Sequence, residues 1–318
     1  MKNFLYRWID AEAYEERCGS DNPSKVEWSR GIPLLITHAA CFAVIWVGWS
    51  PIAVGVAAFL YFFRMFAITG FYHRYFSHRS FKTSRVMQFL FAVAGNSAAQ
   101  RGPLWWAAHH RHHHRHSDKE GDPHSPKLGG IWHGHFGWLM TRGAFCTDRD
   151  AVKDLMRYPE LRWLDRFDLA VPFLLALGMF GLGELLRDAA PSLGTNGWQM
   201  LVWGFFISTV VLLHGTCTIN SLAHLMGTRP YETDDDSRNS FLLAMITLGE
   251  GWHNNHHRFP GATSQGIRWW EIDITYMCLR LLQVLGLVWQ LSPHPAAAYR
   301  PVSGQESQPV PSRTGLPG

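Results

Sequence analysis

The sequence contains 18 histidines, and many of them lie in three clusters. The clusters read HRYFSH at 73–78, HHRHHHRH at 109–116 and HNNHH at 253–257. Imidazole binds iron, copper and zinc alike, so the clusters predict metal binding without identifying the metal. The alternative is a histidine-rich tract that holds metal loosely. Because the spacing H-x-x-H-H occurs in two clusters far apart on the chain, the sequence favours a built metal site.

Helical geometry predicts which imidazoles share a face. In an α-helix, H-x-x-H-H places three imidazoles within an arc of about 100°. The third cluster shows this spacing once, and the middle cluster shows it in two registers that spacing alone does not separate. These sets are His253, His256 and His257 in the third cluster, and either His110, His113 and His114 or His109, His112 and His113 in the middle one. If the register begins at His110, the opposite face of the helix carries His109, His112 and His116.

Two further pairs fit a metal site less directly. His73 and His78 are about 140° apart on an ideal helix, so they share a site only if the helix ends or distorts between them. Asn220 and His224 are four residues apart, which places them on one helix face.

Some polar residues outside the clusters have simpler interpretations. His38 and His214 lie in apolar runs and are predicted to be structural. His133 and His135 fit equally well as core groups or as supports for a metal ligand. Arg64 lies in an apolar stretch near its predicted end, and we expect its side chain to extend to the membrane interface.

The elements that must position the clusters are membrane helices. The chain of 318 residues is 47% apolar and only 17% charged, and four apolar stretches can each cross about 30 Å of hydrocarbon. They form two hairpins, at 32–49 with 51–70 and at 167–186 with 198–219. We predict an all-α integral membrane protein in which a helical cap holds the metal site. The predicted divisions are a lead-in at 1–31, a membrane domain at 32–291 and a disordered tail at 292–318, with short interfacial or re-entrant helices at 86–99 and 273–291.

Basic residues predict the orientation of these helices. The lead-in contains five Lys or Arg residues and the segment from Gly70 to Arg166 contains fifteen, whereas the hairpin turns contain almost none. By the positive-inside rule, both termini and the histidine clusters are predicted to face the cytoplasm.

Charge and cysteine content exclude other classes of protein. The net charge of +4 is small and dispersed, which argues against nucleic-acid binding. The five cysteines show no C-x-x-C spacing, so we expect incidental thiols, with neither a disulfide framework nor a zinc finger.

The clusters and their neighbours resemble the three histidine boxes of membrane fatty acyl desaturases, most closely the Δ9 group. The matching segments are HRYFSHRSF at 73–81, HRHHH at 110–114 with DPH at 122–124, and GEGWHNNHHRFP at 249–260. The resemblance extends over about 32–291 in the same order. The family's second box has Arg directly after its first ligand, so the resemblance favours the register that begins at His110.

The resemblance implies a di-iron enzyme that uses O2, two electrons and two protons to introduce a cis double bond into a long acyl chain. The implied iron ligands are His73, His78, His110, His113, His114, His224, His253, His256 and His257, and Asn220 matches a position that supports an iron through water. Gln100, Trp106 and Thr216 match positions that line the family's acyl tunnel near its kink, and a packing role is the alternative for each.

The chain also departs from some relatives. Animal acyl-CoA members carry an Arg-Asp pair before the second box that helps hold the CoA head group, and here these positions are Ala108 and His109. The acyl carrier is therefore either CoA or a membrane lipid. Members fused to cytochrome b5 have an HPGG haem motif, whereas here His294 is followed by PAA. We expect a separate electron donor, such as ferredoxin or cytochrome b5 with its reductase.

Physical chemistry supports an oxidative reaction. An unactivated methylene has neither an acidic hydrogen nor a leaving group, so side-chain acid–base chemistry does not desaturate it and an oxidising metal centre is required. A related histidine-box hydroxylase or acetylenase is the alternative among enzymes. A histidine-rich metal transporter is the alternative from another class, and it predicts ionisable residues inside the spans, whereas the clusters lie outside them.

Overall fold

In the computed structural model, which describes residues 9–15, 18 and 22–299, the protein is built almost entirely from helices. The main helices are α1 (Trp28–Val47), α2 (Pro51–Ser77), α3 (Arg85–Asn96), α4 (Pro103–His116), α5 (Pro159–Arg166), α6 (Ala170–Ala189), α7 (Gly197–His224), α8 (Phe241–Ile246), α9 (His253–Arg258) and α10 (Ile274–Val284). Four of them, α1, α2, α6 and α7, are long and apolar enough to cross a membrane. The predicted all-α class with four spans is confirmed.

Short elements complete the described part of the chain. Two strands of two residues each, β1 (Lys82–Thr83) and β2 (Val288–Trp289), pair antiparallel with Lys82 opposite Trp289. The short α-helices are Glu12–Glu15, Pro126–Gly129, Ile131–His135 and Lys153–Met156, and the 3₁₀ turns outside the long helices are Gly137–Met140, Gly143–Phe145, Asp150–Val152, Pro191–Leu193 and Ala296–Tyr299. We call 78–169 and 225–299 together the cap.

The starts of the main helices follow from local chemistry. Ser50 precedes α2, and its hydroxyl accepts a hydrogen bond from the backbone N–H of Ala53 at 3.2 Å. The side-chain oxygens of Ser84 before α3 and Asn196 before α7 also accept a hydrogen bond from a backbone N–H in the first turn. Such caps satisfy N–H groups that have no partner inside the helix. Pro51 and Pro103 occupy the first helical position, where proline loses no hydrogen bond.

The helices α2 and α7 form the centre of the fold and pack against each other. The last turns of α2 pack against α3 and α4, while α6 and α1 pack against α7. Both central helices extend beyond the predicted spans 51–70 and 198–219, reaching Ser77 and His224. They continue because their polar ends are covered by the cap, and every residue of Ala67–Ser77 is buried.

Arg64 does not extend to the membrane surface, so that prediction is wrong. The side chain points into the protein and is completely buried. Its guanidinium donates hydrogen bonds to the hydroxyls of Ser208 and Thr209 on α7, at 2.6 and 2.8 Å. Polar partners on the neighbouring helix therefore replace the water that the interface would supply.

The cysteine prediction is also wrong for one pair. Cys18 and Cys146 form a disulfide with a Cα–Cα distance of 5.8 Å. They are 128 residues apart in sequence, so local spacing could not reveal the pair. The other three, Cys41, Cys217 and Cys278, are free thiols.

The chain after the membrane domain is ordered further than predicted. The backbone N–H of Ser292 donates to the carbonyl of Ser80, and its carbonyl accepts from the N–H of Thr263. The hydroxyl of Tyr231 donates to the carbonyl of Ala298 at 2.7 Å. Residues 292–299 therefore pack against the rest of the cap, and the remainder of the predicted tail lies outside the described residues. The predicted helices 86–99 and 273–291 are shorter than expected, because α3 ends at Asn96 and α10 ends at Val284 before β2.

The close packing of α3 on α2 requires a glycine. A Cβ atom at Gly95 would lie 2.1 Å from the Tyr72 ring, which is completely buried. Because the ring is enclosed on all sides, it cannot move away to make room.

We predict that Gly95→Ala lowers the free energy of unfolding by about 1–3 kcal/mol, the usual cost of an extra methyl group in a packed core. The measurement is unfolding of the purified protein in mixed micelles. Gly178→Ala is the control, because a Cβ at Gly178 on α6 meets nothing within 4 Å. Equal stability of the two variants would contradict the prediction.

Candidate metal centre

The first histidine cluster is brought together by a change of helix type. From Ala67 to Ser77, α2 is a π-helix, in which hydrogen bonds join residues five apart. The backbone N–H of His78 donates to the carbonyl of His73 at 3.2 Å, and the two ring centres are 4.9 Å apart. The sequence predicted that the helix must end or distort here, and this π-helical segment is the distortion.

The second cluster lies on α4, and its two faces have different surroundings. His110, His113 and His114 face the other clusters. The opposite face contacts other segments of the cap. The Nε2 atoms of His109 and His112 lie 3.0 and 2.8 Å from the carbonyls of Cys146 and Gly121. The structure thus places the register beginning at His110 towards the site.

The clusters converge into two groups of imidazoles. Within each group, the candidate ligand nitrogens lie within 4.8 Å of one another. The groups are His73, His78, His110, His114 and His256, and His113, His224, His253 and His257. All nine histidines that the resemblance implied are therefore brought together. His114 and His257 belong to different groups and their ring centres are only 4.5 Å apart, so the groups adjoin.

Carboxylates on the outer side orient four of these imidazoles. Each accepts a hydrogen bond from the Nδ1–H of one histidine, which directs the lone pair on Nε2 into the group. The pairs are Glu250 with His73 at 2.5 Å, Asp122 with His113 at 3.1 Å, Asp118 with His224 at 2.7 Å and Asp235 with His257 at 2.6 Å. Sequence reasoning assigned no role to these carboxylates, although Asp122 and Glu250 lie inside the segments that resemble histidine boxes.

The carboxylates are ionised. Burial opposes ionisation of Asp118, Asp122 and Asp235, but the hydrogen bond and charge of the histidine and further hydrogen bonds together outweigh it. The pKa of each therefore lies below its ordinary value. Glu250 is also buried, and the charges of His73 and Arg74 lower its pKa. Arg74 joins this network through a second carboxylate, Asp273, at 2.9 Å.

Six of these imidazoles have a pKa below its ordinary value, which favours their neutral form. Burial, followed by repulsion from neighbouring histidines, holds the pKa of His78, His110, His114, His253 and His256 well below its ordinary value. Burial also lowers the pKa of His257 to about 4, despite the hydrogen bond to Asp235. Neutral imidazole is the form that binds metal.

The nitrogens in the groups fit a cation better than they fit each other. The Nε2 of His256 lies 3.0 Å from that of His73 and 2.9 Å from that of His114. Because the Nδ1 of His73 is directed at Glu250, its Nε2 is the nitrogen directed into the group. Among the described residues, the buried Nε2 of His257 has no hydrogen-bond partner. Converging lone pairs and an unpartnered buried nitrogen are the pattern that metal ligands show, so the donor set fits metal ions.

Comparison with known proteins agrees with this geometry. Residues 39–286 match the sequence model of the family described as fatty acid desaturase. The chain belongs to this family. It is accordingly an oxidoreductase of lipid metabolism.

Several characterised desaturases are similar over most of their length. The sn-1 stearoyl-lipid 9-desaturase of Anabaena variabilis is 36% identical over 266 residues, which cover 83% of this chain and 93% of the relative. The sn-2 palmitoyl-lipid 9-desaturase of Nostoc sp. (strain 36) is 35% identical, with 84% and 90% covered. The Delta-9 acyl-lipid desaturase 1 of Arabidopsis thaliana is 38% identical, with 80% and 79% covered.

Two cavities of the desaturase meet beside the histidines. The larger has an empty volume of about 1330 Å³ and the smaller about 490 Å³, counting the space at their open sides. Both are lined by Trp106, His110, Thr216 and Asn220. Asn220 thus lies where the cavities meet the site. The two cavities therefore share part of their wall beside the imidazole groups.

The residues predicted to contact substrate lie at this junction. Gln100 lines the larger cavity, and its side-chain amide donates to the hydroxyl of Thr216 at 3.0 Å. Trp106 stacks on His110 with ring centres 5.1 Å apart. The geometry brings all three to the cavity wall, and their contact with substrate remains a prediction.

Histidines outside the clusters hydrogen-bond elsewhere. His38 and His214 lie 3.2 Å apart, Nε2 to Nε2, and the Nε2 of His135 contacts the Nδ1 of His214 at 3.0 Å. His133 contacts the carbonyl of Pro123. None of the four belongs to the imidazole groups of the described residues, which is consistent with the structural role predicted for His38 and His214.

We predict that Asp235→Asn weakens metal retention by about 10–100-fold, the usual effect of losing a carboxylate behind a histidine ligand. The reason is that the Nδ1–H of His257 then loses its charged acceptor, because an amide replaces the carboxylate of Asp235. Metal per protein after dialysis against graded chelator measures the effect. The neighbouring variant Asp234→Asn is the matched control, because that carboxylate is almost fully exposed. Unchanged retention in Asp235→Asn would show that Asp235 does not support a ligand.

Proposed function

We propose that this desaturase binds two iron ions and uses O2 to introduce a cis double bond at C9 of a long-chain acyl group. The observation that carries the proposal is the pair of adjoining imidazole groups at the junction of two cavities. Nine imidazoles are more than one metal ion takes, whereas two ions accommodate them. The ten candidate ligands are the nine histidines and Asn220.

The reaction converts –CH2–CH2–, O2, two electrons and two protons into –CH=CH– and two molecules of water. Two bound iron ions would supply the reduction of O2 and the removal of two hydrogen atoms. The chain supplies position: Glu250, Asp118, Asp122 and Asp235 hold their histidines in the tautomer that leaves Nε2 free. Trp106 stacks on His110 at the cavity wall, so it limits where an acyl chain can lie relative to the histidines.

We further propose that the acyl group is attached to a membrane lipid. The relatives named above act on lipid-linked chains and introduce the double bond at position 9. In this chain, the two positions that hold CoA in animal members are not available for a head group. Ala108 is buried, and the imidazole of His109 is engaged with Cys146 and packs on Trp105 with ring centres 4.5 Å apart.

The two electrons come, in this proposal, from a separate protein such as ferredoxin or cytochrome b5 with its reductase. Imidazole and carboxylate side chains do not store electrons between turnovers. The donor must therefore dock on the cap, where the histidine-bearing helices α4 and α9 lie.

We expect the protein to produce a new monounsaturated acyl chain when it is expressed in a host that lacks such an enzyme. Mass spectrometry identifies the product, its double-bond position and the lipid or thioester pool in which it first appears. Loss of two hydrogens supports desaturation, whereas gain of one oxygen indicates a hydroxylase.

His256→Ala is expected to abolish this product, because the Nε2 of His256 contacts two other imidazoles of the first group. The variant is expected to stay folded in membranes. His116→Ala is the matched control, since His116 lies on the opposite face of α4 and stacks on His112. Full activity in His256→Ala would contradict the site assignment.

We also propose that the cap and both termini face the cytoplasm. Lys and Arg are concentrated in the lead-in and the cap, and nearly absent from the turns between paired spans. The expected result is that a cysteine introduced at Leu193, in the turn between α6 and α7, reacts with an impermeant reagent added outside intact cells. A cysteine at Asp234 should react only after the cells are opened, and the reverse pattern would overturn the orientation.

A further inference from the structure

Arg64 is a buried cation that the proposed reaction does not use. It lies in the membrane-spanning part of α2 and is completely buried. In the described part of the chain, its hydrogen-bond acceptors are two hydroxyls and two backbone carbonyls, with no carboxylate among them. Burying an unpaired charge is costly, so such residues in membrane spans generally have a specific role.

The guanidinium connects three segments of the chain. Its Nε donates to the carbonyl of Leu60 on its own helix at 3.1 Å. Its Nη1 donates both to the hydroxyl of Thr209 on α7 at 2.8 Å and to the carbonyl of Ser97 at 3.2 Å, while Nη2 donates to Ser208. One nitrogen therefore joins α7 to the turn that follows α3.

One of these partners lines the larger cavity, and the other lies in a turn that lines it. Thr209 lines it together with Leu213 and Thr216, which lie four and seven residues further along α7 and hence on the same face. Ser97 begins the turn whose next residues, Ala99, Gln100 and Arg101, line the cavity as well. Arg64 itself lies behind these walls and does not line the cavity.

The turn is held in a defined shape. Ala99 and Arg101 have φ values of 56° and 69°, a left-handed conformation that side chains other than glycine rarely adopt. The side-chain amide of Asn96 donates to the carbonyl of Arg101 at 3.1 Å. The turn is thus a stiff wall whose distance from α7 is set by its cross-links.

Two cross-links set that distance at two depths. One is the direct hydrogen bond from Gln100 to Thr216, beside the histidines. The other is the bridge through Arg64 to Thr209, which lies about 10 Å from Thr216 towards the start of α7. Together they determine the width of the cavity along its length.

We propose that Arg64 is a positioning residue that sets the width of the acyl cavity at its membrane-buried end. It thereby fixes which carbons of the acyl chain lie beside the imidazole groups. This inference rests on the proposed function, because it takes an acyl chain as the occupant of the cavity. Arg64 acts through Thr209 and the 97–101 turn, without touching the substrate.

The planar guanidinium suits this role better than a simple charge does. Its donors lie in a rigid fork that reaches several acceptors at once, whereas a lysine ammonium is a single point on a flexible stem. Lysine at position 64 would keep the charge and lose the bridge. If position 64 required only a positive charge for stability, Arg64→Lys would give the wild-type double-bond positions.

The test compares product patterns of the full-length protein in a host that lacks such an enzyme. The variants are Arg64→Lys, Arg64→Met and Thr209→Val. The matched control is Thr218→Val, because the Thr218 hydroxyl donates to the carbonyl of Gly215 on α7 itself at 2.7 Å and Thr218 is not among the described residues that line either cavity. Double-bond positions are read by mass spectrometry of the isolated acyl chains. Iron per purified protein is measured in parallel.

The first three variants are expected to raise the fraction of double bonds at neighbouring carbons about tenfold, the factor that corresponds to one lost hydrogen bond to a charged group. Iron content should match that of the wild type, and Thr218→Val should give the wild-type pattern. Wild-type double-bond positions in Arg64→Lys and Thr209→Val would overturn the inference, whatever the rate. If the Arg64 variants do not accumulate, Thr209→Val decides alone in the same way. Absence of any unsaturated product from the wild type would instead overturn the proposed function.

Discussion

The structure depends on keeping nine imidazoles close together, in two adjoining groups with their ring nitrogens directed at each other. Such an arrangement is unfavourable without a cation, because converging lone pairs repel and buried nitrogens lack partners. Carboxylates on the outer side offset part of this cost. Glu250, Asp118, Asp122 and Asp235 each accept an Nδ1–H bond, which fixes the tautomer and the ring orientation. The cap is largely the scaffold that holds these four acids in place.

This constraint explains why the two central helices are longer than a membrane requires. A ligand on a separate loop would depend on the position of that loop, whereas His73 and His224 lie on continuous extensions of α2 and α7. The π-helical segment of α2 then adds His78 to the same side. Because the helices that carry ligands also form the cavity walls, the position of an acyl chain and the position of the metal site are set by the same elements.

Buried polar groups in the spans act in the same way at a greater depth. Arg64 joins α2, α7 and the 97–101 turn, and Gln100 joins the same turn to Thr216. Hydrogen bonds are directional and therefore define distances between helices more sharply than apolar contacts do. An enzyme that must select one pair among chemically similar methylenes depends on such defined distances, because the methylenes offer no polar group to recognise.

The sequence by itself determined the class of fold and the four spans and showed three histidine clusters, since hydrophobic length and residue type are local properties. It also required a distortion between His73 and His78, because a helix of ordinary pitch separates them. The register of the middle cluster needed the resemblance to a family, and the structure then showed His110, His113 and His114 facing the other clusters. Only the tertiary structure decided which acids stand behind which histidines, that Cys18 meets Cys146, and that Arg64 turns inward instead of reaching the membrane surface. These depend on contacts between residues far apart in sequence, and no local pattern contains the distance between two segments of a folded chain.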